Sequence, residues 1–320
     1  MIYLLFVFGF VLLIVGAGWL IDGALRLARR FGASDLAVGL TVVSIGTSVP
    51  ELVVNVAASL RGSPDLAIGN ILGSNVANVL LILGVTGAIR TLPICNRTIL
   101  SEIPICLAAT LLVGFLANAH LFTTEQILTL SRLDGLILLG FFALFLGYVY
   151  RTAQDGMALG TSAPDERSAH SGAGTALRIL GGVLALALGG EWVVRGALAI
   201  VENAGVSESL VGLTVLALGT SAPELATTVS AVYRGKTNVA VGNIIGSNIF
   251  NLLWVLGVSA VIRPLPFDLL SNTDLVMVVV SNALLLLAMA IGRPNTVDRW
   301  EGWGFLAVYG AYLAFLGVRG

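Results

Sequence analysis

Apolar stretches of about twenty residues, separated by short polar connections, follow one another along the whole chain. A helix of about twenty residues crosses the hydrocarbon core of a bilayer. The two-residue alternation of a membrane β-barrel is absent from these stretches, so each predicts a transmembrane helix. Ten helices are predicted, at residues 2–20, 36–60, 66–89, 99–118, 132–150, 176–197, 209–233, 239–262, 272–292 and 300–318.

Two polar motifs interrupt the apolar stretches, and the second repeats the first at a constant distance of 173 residues. The copies begin at Val38 and Val211, and both contain Gly-Thr-Ser-Xaa-Pro-Glu and Gly-Asn-Ile-Xaa-Gly-Ser-Asn. Each copy comprises five predicted spans, and an odd number makes the second copy enter the membrane from the opposite side. The predicted fold is an all-α polytopic membrane protein with ten transmembrane helices in two inverted five-helix repeats, at 1–151 and 176–320, joined by a cytoplasmic linker at 152–175.

The composition agrees with a membrane protein, since 57% of the residues are hydrophobic and 11% are charged. A formal net charge of −1 gives no reason to expect a nucleic-acid partner, and no protein partner is evident beside the lipid bilayer. The two cysteines, Cys95 and Cys106, are too few for a disulfide framework and are expected to pack as apolar side chains. We expect no cofactor.

The lysines and arginines indicate how the chain is oriented. With ten spans, 12 of them lie on one side of the membrane and 5 on the other. The richer side is expected to be cytoplasmic, because basic residues are retained there. This places both termini outside, in what we expect to be the cell membrane.

Glu51 and Glu224 are the deepest carboxylates in the predicted spans. An ionised carboxylate near the middle of a bilayer is costly unless it meets a cation, a proton or water. The alternative is a structural carboxyl that is either kept protonated or paired with an arginine to hold helices together. No lysine or arginine lies at a comparable depth, and the same surroundings occur twice, so the two glutamates predict a cation site.

The residues before each glutamate supply further oxygen atoms. Pro50 and Pro223 lack an amide proton and disfavour helical geometry ahead of them, so carbonyls about one turn earlier lose their partners. An ordinary proline kink would need neither the buried acid nor the repetition. Calcium takes about six to eight oxygen ligands, whereas softer metals prefer the Cys and His that the motifs lack. The candidate hydroxyl ligands here are those of Thr47, Ser48, Thr220 and Ser221.

A polar stripe marks the following span of each repeat. Ser74 and Asn78 are four residues apart, as are Ser247 and Asn251, so each pair shares a helix face and is predicted to face the ion. The other asparagines of the stripe are open between ion contact and hydrogen bonding between helices: Asn70, Asn75, Asn243 and Asn248.

At these residues the chain resembles the cation/calcium antiporter superfamily, in particular its sodium/calcium exchanger branch of the prokaryotic type, whose paired alpha repeats carry such motifs. The resemblance covers essentially the whole chain. It implies antiport of one calcium ion against about three sodium ions by alternating access. In that family's scheme Glu51 and Glu224 would bind calcium and share sodium. The other implied ligands are the backbone carbonyls of Thr47 and Thr220, and Ser48, Ser221, Ser74 and Ser247 at the sodium sites.

The resemblance also bears on coupling and movement. Some relatives have an aspartate where this chain has Asn251, whereas Asn78 and Asn251 are both neutral here. Two carboxylates neutralise one calcium ion, and this pattern resembles the potassium-independent exchangers. The first span and its counterpart at 176–197 are the expected moving elements.

Parts of the sequence are also compatible with three other functions. A proton/calcium antiporter on the same fold is the main alternative, because buried glutamates titrate readily. The serine and asparagine oxygens favour sodium, which needs ligands that a proton does not. A channel is less expected, because an inverted repeat with paired acids at the middle of the membrane is more typical of a site that encloses its ion. An intramembrane enzyme is not expected, since His120 and His170 lie in predicted loops and Ser48 has no base except Glu51.

Overall fold

The computed structural model describes residues 2–31, 33–119, 128–158, 172–202 and 217–319, which are mostly helical. Four short strands are β1 (Leu92–Pro93), β2 (Thr129–Leu130), β3 (Leu265–Pro266) and β4 (Thr296–Val297). The helices are α1 (Ile2–Phe31), α2 (Asp35–Thr47), α3 (Val49–Arg61), α4 (Pro64–Ile89), α5 (Thr98–Asn118), α6 (Arg132–Ala158), α7 (Gly172–Glu202), α8 (Ala217–Thr220), α9 (Ala222–Tyr233), α10 (Thr237–Ile262), α11 (Ser271–Ala290) and α12 (Arg299–Arg319).

Eight helices of the described ranges are long and apolar enough to cross a membrane. Helices α2 and α3 form a further candidate span that bends by 46° at its break. The prediction of a helical, polytopic membrane protein is therefore confirmed. The tenth predicted span, 209–233, is described only from residue 217, so the number ten stays a prediction.

The connection between the halves is more helical than expected where it is described. Helix α6 continues to Ala158 and α7 begins at Gly172, so both helices extend into the predicted linker at 152–175. Residues 159–171, which contain His170, lie outside the described ranges, as does His120. The division into two repeats joined by a linker stays a prediction.

Helices α4 and α10 are the most buried spans, and both carry the polar stripe. Helix α2 lies against α10 at glycines. A methyl group added at Gly39 would be only 2.6 Å from the Val239 carbonyl oxygen, which shows how close the two backbones are. One added at Gly246 would be 2.7 Å from Ser44 Oγ. Small residues let helix backbones come close in a membrane, which brings the polar positions of α2 and α10 together.

Helices α1 and α7 pack against each other in antiparallel directions along two pairs of glycines. A methyl group at Gly9 would lie 2.9 Å from the Gly189 carbonyl oxygen, and one at Gly16 would lie 3.0 Å from that of Gly182. In the other direction, a methyl group at Gly182 would lie 2.6 Å from the Leu20 amide nitrogen. These contacts are backbone to backbone, so α1 and α7 form one tightly joined pair.

The strands join the two halves of the chain at two places. β1 pairs antiparallel with β4, and β2 pairs antiparallel with β3. β1 and β3 are separated by the 173 residues of the sequence repeat, and each of them takes its partner from the other half. The repeat in the sequence therefore corresponds to a two-fold relationship among contacts of the folded chain.

Three ion pairs lie near the ends of the predicted spans. Asp22 accepts from Arg234 at 2.6 Å and from Arg178 at 3.4 Å, while Arg319 contacts Asp274 at 3.0 Å. Asp22, Arg178 and Arg234 all belong to the side predicted to be cytoplasmic, whereas Asp274 and Arg319 belong to the opposite side. Each ion pair therefore joins residues that were predicted to lie on the same side of the membrane. Which group faces the cytoplasm stays a prediction.

Candidate cation-binding site

Both glutamates lie immediately after a break in a helix. Ser48 separates α2 from α3 with φ −84° and ψ 7°, and Ser221 separates α8 from α9 with φ −81° and ψ 0°. Each proline follows two residues later, at the start of the second helix, where its missing amide proton costs no hydrogen bond. Glu51 and Glu224 then fall in the first turn, where the positive end of the helix dipole favours a negative charge.

Glu224 is fully buried and receives two hydroxyl groups. Ser48 Oγ donates to its Oε1 at 3.2 Å, and Ser247 Oγ donates to the same oxygen at 3.4 Å. These donors come from the break after α2 and from α10. The other carboxylate oxygen, Oε2, accepts no hydrogen bond from the described residues. One oxygen is thus oriented by serines, and the second is available to a ligand.

Glu51 is also fully buried, and neither of its oxygens accepts a hydrogen bond from the described part of the chain. It is near enough to Glu224 for the two to interact electrostatically. Two other buried acids have an arginine within ion-pair distance: Glu102 lies 3.7 Å from Arg97 and accepts from Tyr148 through one of its oxygens, and Asp274 accepts from Arg319 at 3.0 Å. No ion pair within the described ranges involves either motif glutamate. These two carboxylates therefore lack the counter-charge of an ordinary structural acid.

The threonines before the breaks bridge the two halves of the chain. Thr47 Oγ1 donates to Asn243 Oδ1 at 3.2 Å, and Thr220 Oγ1 donates to Asn70 Oδ1 at 3.1 Å. Thr47 also lies 3.5 Å from Ser247 Oγ, as Ser74 Oγ lies 3.4 Å from Thr220 Oγ1. Each contact has its counterpart 173 residues away. The same contacts, from threonine to asparagine and from threonine to serine, therefore occur twice, each time between the two halves of the chain.

Asn78 and Asn251 lie in π-helical turns, Ala77–Leu83 and Phe250–Val255, which also correspond at 173 residues. Such turns change the direction of side chains and occur often at functional sites. The amide nitrogen of Asn78 donates to Asn248 Oδ1 at 2.9 Å, and that of Asn251 donates to Asn75 Oδ1 at 3.0 Å. The two amide oxygens accept no hydrogen bond from the residues described.

Six of the buried oxygens without a partner belong to predicted site residues, and these six form a set suited to a hard cation. Calcium binds carboxylate, amide and hydroxyl oxygens, and every one of these atoms is buried. Among the described residues there is no cluster of His, Cys, Asp and Glu that would favour a softer metal. The atoms concerned are Glu51 Oε1 and Oε2, Glu224 Oε2, Asn78 Oδ1, Asn251 Oδ1 and Ser221 Oγ.

The structure brings the ten predicted site residues into the buried centre of the molecule: Glu51, Glu224, Thr47, Thr220, Ser48, Ser221, Ser74, Ser247, Asn78 and Asn251. The other four asparagines of the stripe all make hydrogen bonds between helices, and whether they also contact an ion stays open. These bonds connect the helices that carry the candidate ligands.

Two supporting residues were missed by the sequence analysis. Asn55 accepts from Asn70 at 2.8 Å, and Thr228 accepts from Asn243 at 3.0 Å. Each follows a motif glutamate by four residues, on the same helix face, and they are separated by the same 173 residues. Their spacing from the glutamates could have identified them. Because one is an asparagine and the other a threonine, a search for identical residues in the two repeats does not find the pair.

Comparison with known proteins gives a family. A model of the family described as sodium/calcium exchanger protein matches residues 1–151 and 175–318. "Putative antiporter CaxA" of Alkalimonas amylolytica is 36% identical over 311 residues, which are 95% of each chain. "Sodium/calcium exchanger MaX1" of Methanosarcina acetivorans is 31% identical over 345 residues, which cover 98% of each.

A solved structure shows the same fold. The sodium-calcium exchanger NCX_Mj soaked with 10 mM Na⁺ and 10 mM Sr²⁺ superposes with a TM-score of 0.80 at 30% identity, covering 98% of this chain and 99% of that one. Fold, buried acids and relatives together define an integral membrane transporter rather than an enzyme. The chain belongs to the sodium/calcium exchanger family, as the alpha-repeat motifs predicted.

Proposed function

We propose that this protein exchanges calcium for several sodium ions by alternating access at a midplane site that contains Glu51 and Glu224. The observation that carries the proposal is the set of buried acceptor oxygens without donors, which both halves of the chain supply. The layout that fits it is ten helices in two inverted repeats in the cell membrane, with both termini outside and no cofactor.

Competition for the same oxygens explains exchange. The two carboxylates neutralise one bound calcium ion. An empty site would have to carry two charges through the low-dielectric centre of the protein, which is costly. Only occupied sites therefore change readily between the inward-facing and outward-facing states. The tightly joined α1 and α7 are the proposed moving elements, because they pack beside the ligand-bearing helices without contributing ligands.

Calcium uptake into proteoliposomes tests the proposal. Vesicles loaded with sodium are expected to take up calcium, and the uptake is expected to accelerate when the interior is made positive. Exchange for three sodium ions moves one charge, and 100 mV acting on one charge is worth about 2.3 kcal/mol, a shift of about 50-fold in the attainable gradient. Uptake that responds to a proton gradient and ignores sodium would refute sodium coupling and support the proton/calcium alternative.

Asn251→Asp is expected to change ion coupling. The added carboxylate would sit beside the free oxygens of the site, and it would lose the hydrogen bond that Asn251 donates to Asn75. We expect the sodium or potassium dependence of calcium uptake to shift by about tenfold or more, because the added charge acts in a buried site. Asn295→Asp serves as the control, because Asn295 is half-buried in the connection between α11 and α12 and lies outside both polar stripes. A sodium and potassium dependence like that of the unchanged protein would place Asn251 outside the site.

A further inference from the structure

Six asparagines of the two polar stripes lie in the buried centre, and they fall into two groups. Four of them use both ends of the amide. Asn70, for example, accepts from Thr220 and donates to Asn55. Asn78 and Asn251 use the nitrogen only, and their buried oxygens have no donor among the described residues. A buried polar atom without a partner is costly. These two oxygens lie at corresponding positions of the two repeats, which points to a shared ligand.

The direction of these two amides is determined by a chain of hydrogen bonds that starts at the backbone. Asn75 Nδ2 donates to the Asn248 carbonyl oxygen at 3.2 Å, and Asn248 Nδ2 donates to the Asn75 carbonyl oxygen at 3.4 Å. A backbone carbonyl can only accept, so Asn75 and Asn248 must each turn the amide nitrogen towards it. Their own oxygens then point away from that carbonyl, and they can only accept.

The orientation of Asn75 and Asn248 determines the orientation of the asparagine that each contacts in the other half of the chain. Because Asn75 presents an oxygen, Asn251 must present its nitrogen, and its own oxygen is directed away. Asn248 acts on Asn78 in the same way. If the amide of Asn251 or Asn78 were turned around, its oxygen would face the oxygen of Asn75 or Asn248. Its NH₂ group would then occupy the position where the oxygen without a donor now lies. A cation would then meet the positive end of the amide dipole.

We propose that Asn75 and Asn248 are positioning residues that hold the amide oxygens of Asn251 and Asn78 towards the transported cation. This inference rests on the proposed function, and it deepens the description of the same site. Each residue acts across the two halves: the first half positions a ligand of the second, and the second positions a ligand of the first. Neither Asn75 nor Asn248 contacts the ion in this scheme.

A double-mutant cycle tests the inference. Asn75→Leu keeps the approximate volume and removes the acceptor that holds Asn251. It is expected to raise the KM for calcium about tenfold, the scale of one well-made hydrogen bond, and to leave the maximal rate within a factor of about two. In an Asn251→Ala background the same change is expected to have almost no further effect on KM, because the side chain on which it acts is gone.

The other combinations make the test specific. Asn248→Leu is expected to couple to Asn78→Ala, and only weakly to Asn251→Ala. Asn282→Leu is the matched control. Asn282 is also fully buried, and its amide oxygen also has no donor among the described residues, but its nitrogen donates only to the Val278 carbonyl of its own helix. If Asn75→Leu does not fold, Asn75→Ser removes the same contact with a smaller side chain.

The outcomes separate the inference from the proposed function. Equal increases in KM with and without Asn251 would overturn it, as would an unchanged KM accompanied only by a loss of thermal stability in detergent. Calcium KM can be measured whichever ion drives uptake. Proton-driven uptake would therefore refute sodium coupling and still leave the positioning role open to the same test. An absence of calcium uptake in the unchanged protein would refute the proposed function and this inference together.

Discussion

Glu51→Gln is expected to abolish calcium transport, and Glu224→Gln is expected to do the same. Glutamine keeps the shape of the side chain but removes the charge that faces a divalent cation in a buried site, where electrostatic interactions are strong. We expect calcium-dependent uptake to fall by more than about 100-fold in each variant, equivalent to at least about 2.7 kcal/mol. The measurement is the initial rate of calcium uptake into sodium-loaded proteoliposomes.

Glu102→Gln provides the control for burial alone. Glu102 is as buried as the two site acids, but it lies next to Arg97 and accepts from Tyr148. The Glu102→Gln substitution is expected to lower thermal stability more than it changes the calcium dependence of uptake. Removing an unpaired buried charge should leave Glu51→Gln and Glu224→Gln folded, and thermal unfolding in detergent checks this. Substantial uptake by either site variant would contradict a site that needs two carboxylates.

The double variant Gly182→Ala/Gly189→Ala is expected to disrupt the pairing of α1 and α7. The added methyl groups would lie 2.6 Å from the Leu20 amide nitrogen and 2.8 Å from the Gly9 carbonyl oxygen. Both neighbours are backbone atoms, so relief requires the two helices to separate. Overpacking of this kind costs about 1–3 kcal/mol per site, and we expect a fall of several degrees in unfolding temperature together with slower transport.

Gly140→Ala/Gly147→Ala is a closely matched control. These two glycines are also seven residues apart on a long apolar helix, α6, but a methyl group at either would meet no atom within 4 Å. Alanine favours the helix more than glycine does, so the control is expected to be neutral or slightly stabilising. Equal loss of stability in both double variants would show that close packing of α1 on α7 is not what matters.

The long apolar stretches were sufficient to predict the helices, because about twenty apolar residues have few other stable arrangements in a membrane. The predicted ends were less accurate. The first span was expected to end at residue 20, yet α1 continues to Phe31. Its last two turns contain Arg26, Arg29 and Arg30, which leave the hydrocarbon region without ending the helix. Hydropathy marks where the bilayer ends, and that need not be where a helix ends.

The candidate ligands were predictable because a buried charge next to a helix breaker is unusual, and because it occurs twice. The hydrogen bonds that orient them were not. Whether Asn75 contacts an ion or holds Asn251 depends on the rotation of side chains across two helices that are distant in sequence. The period of a helix places residues on a face but does not decide which end of an amide points where. Only the arrangement of both halves determines that.

The two-fold relationship among these contacts makes the protein comparable to a symmetric dimer whose subunits are fused into one chain. In a true dimer, equivalent positions are chemically identical, and the two faces of the site would be the same. Here they differ wherever the repeat is imperfect: Val54 corresponds to Thr227, and Asp22 to Arg195. Such mismatched pairs, together with the unequal hydrogen bonding of Glu51 and Glu224, make the two halves of the chain chemically different.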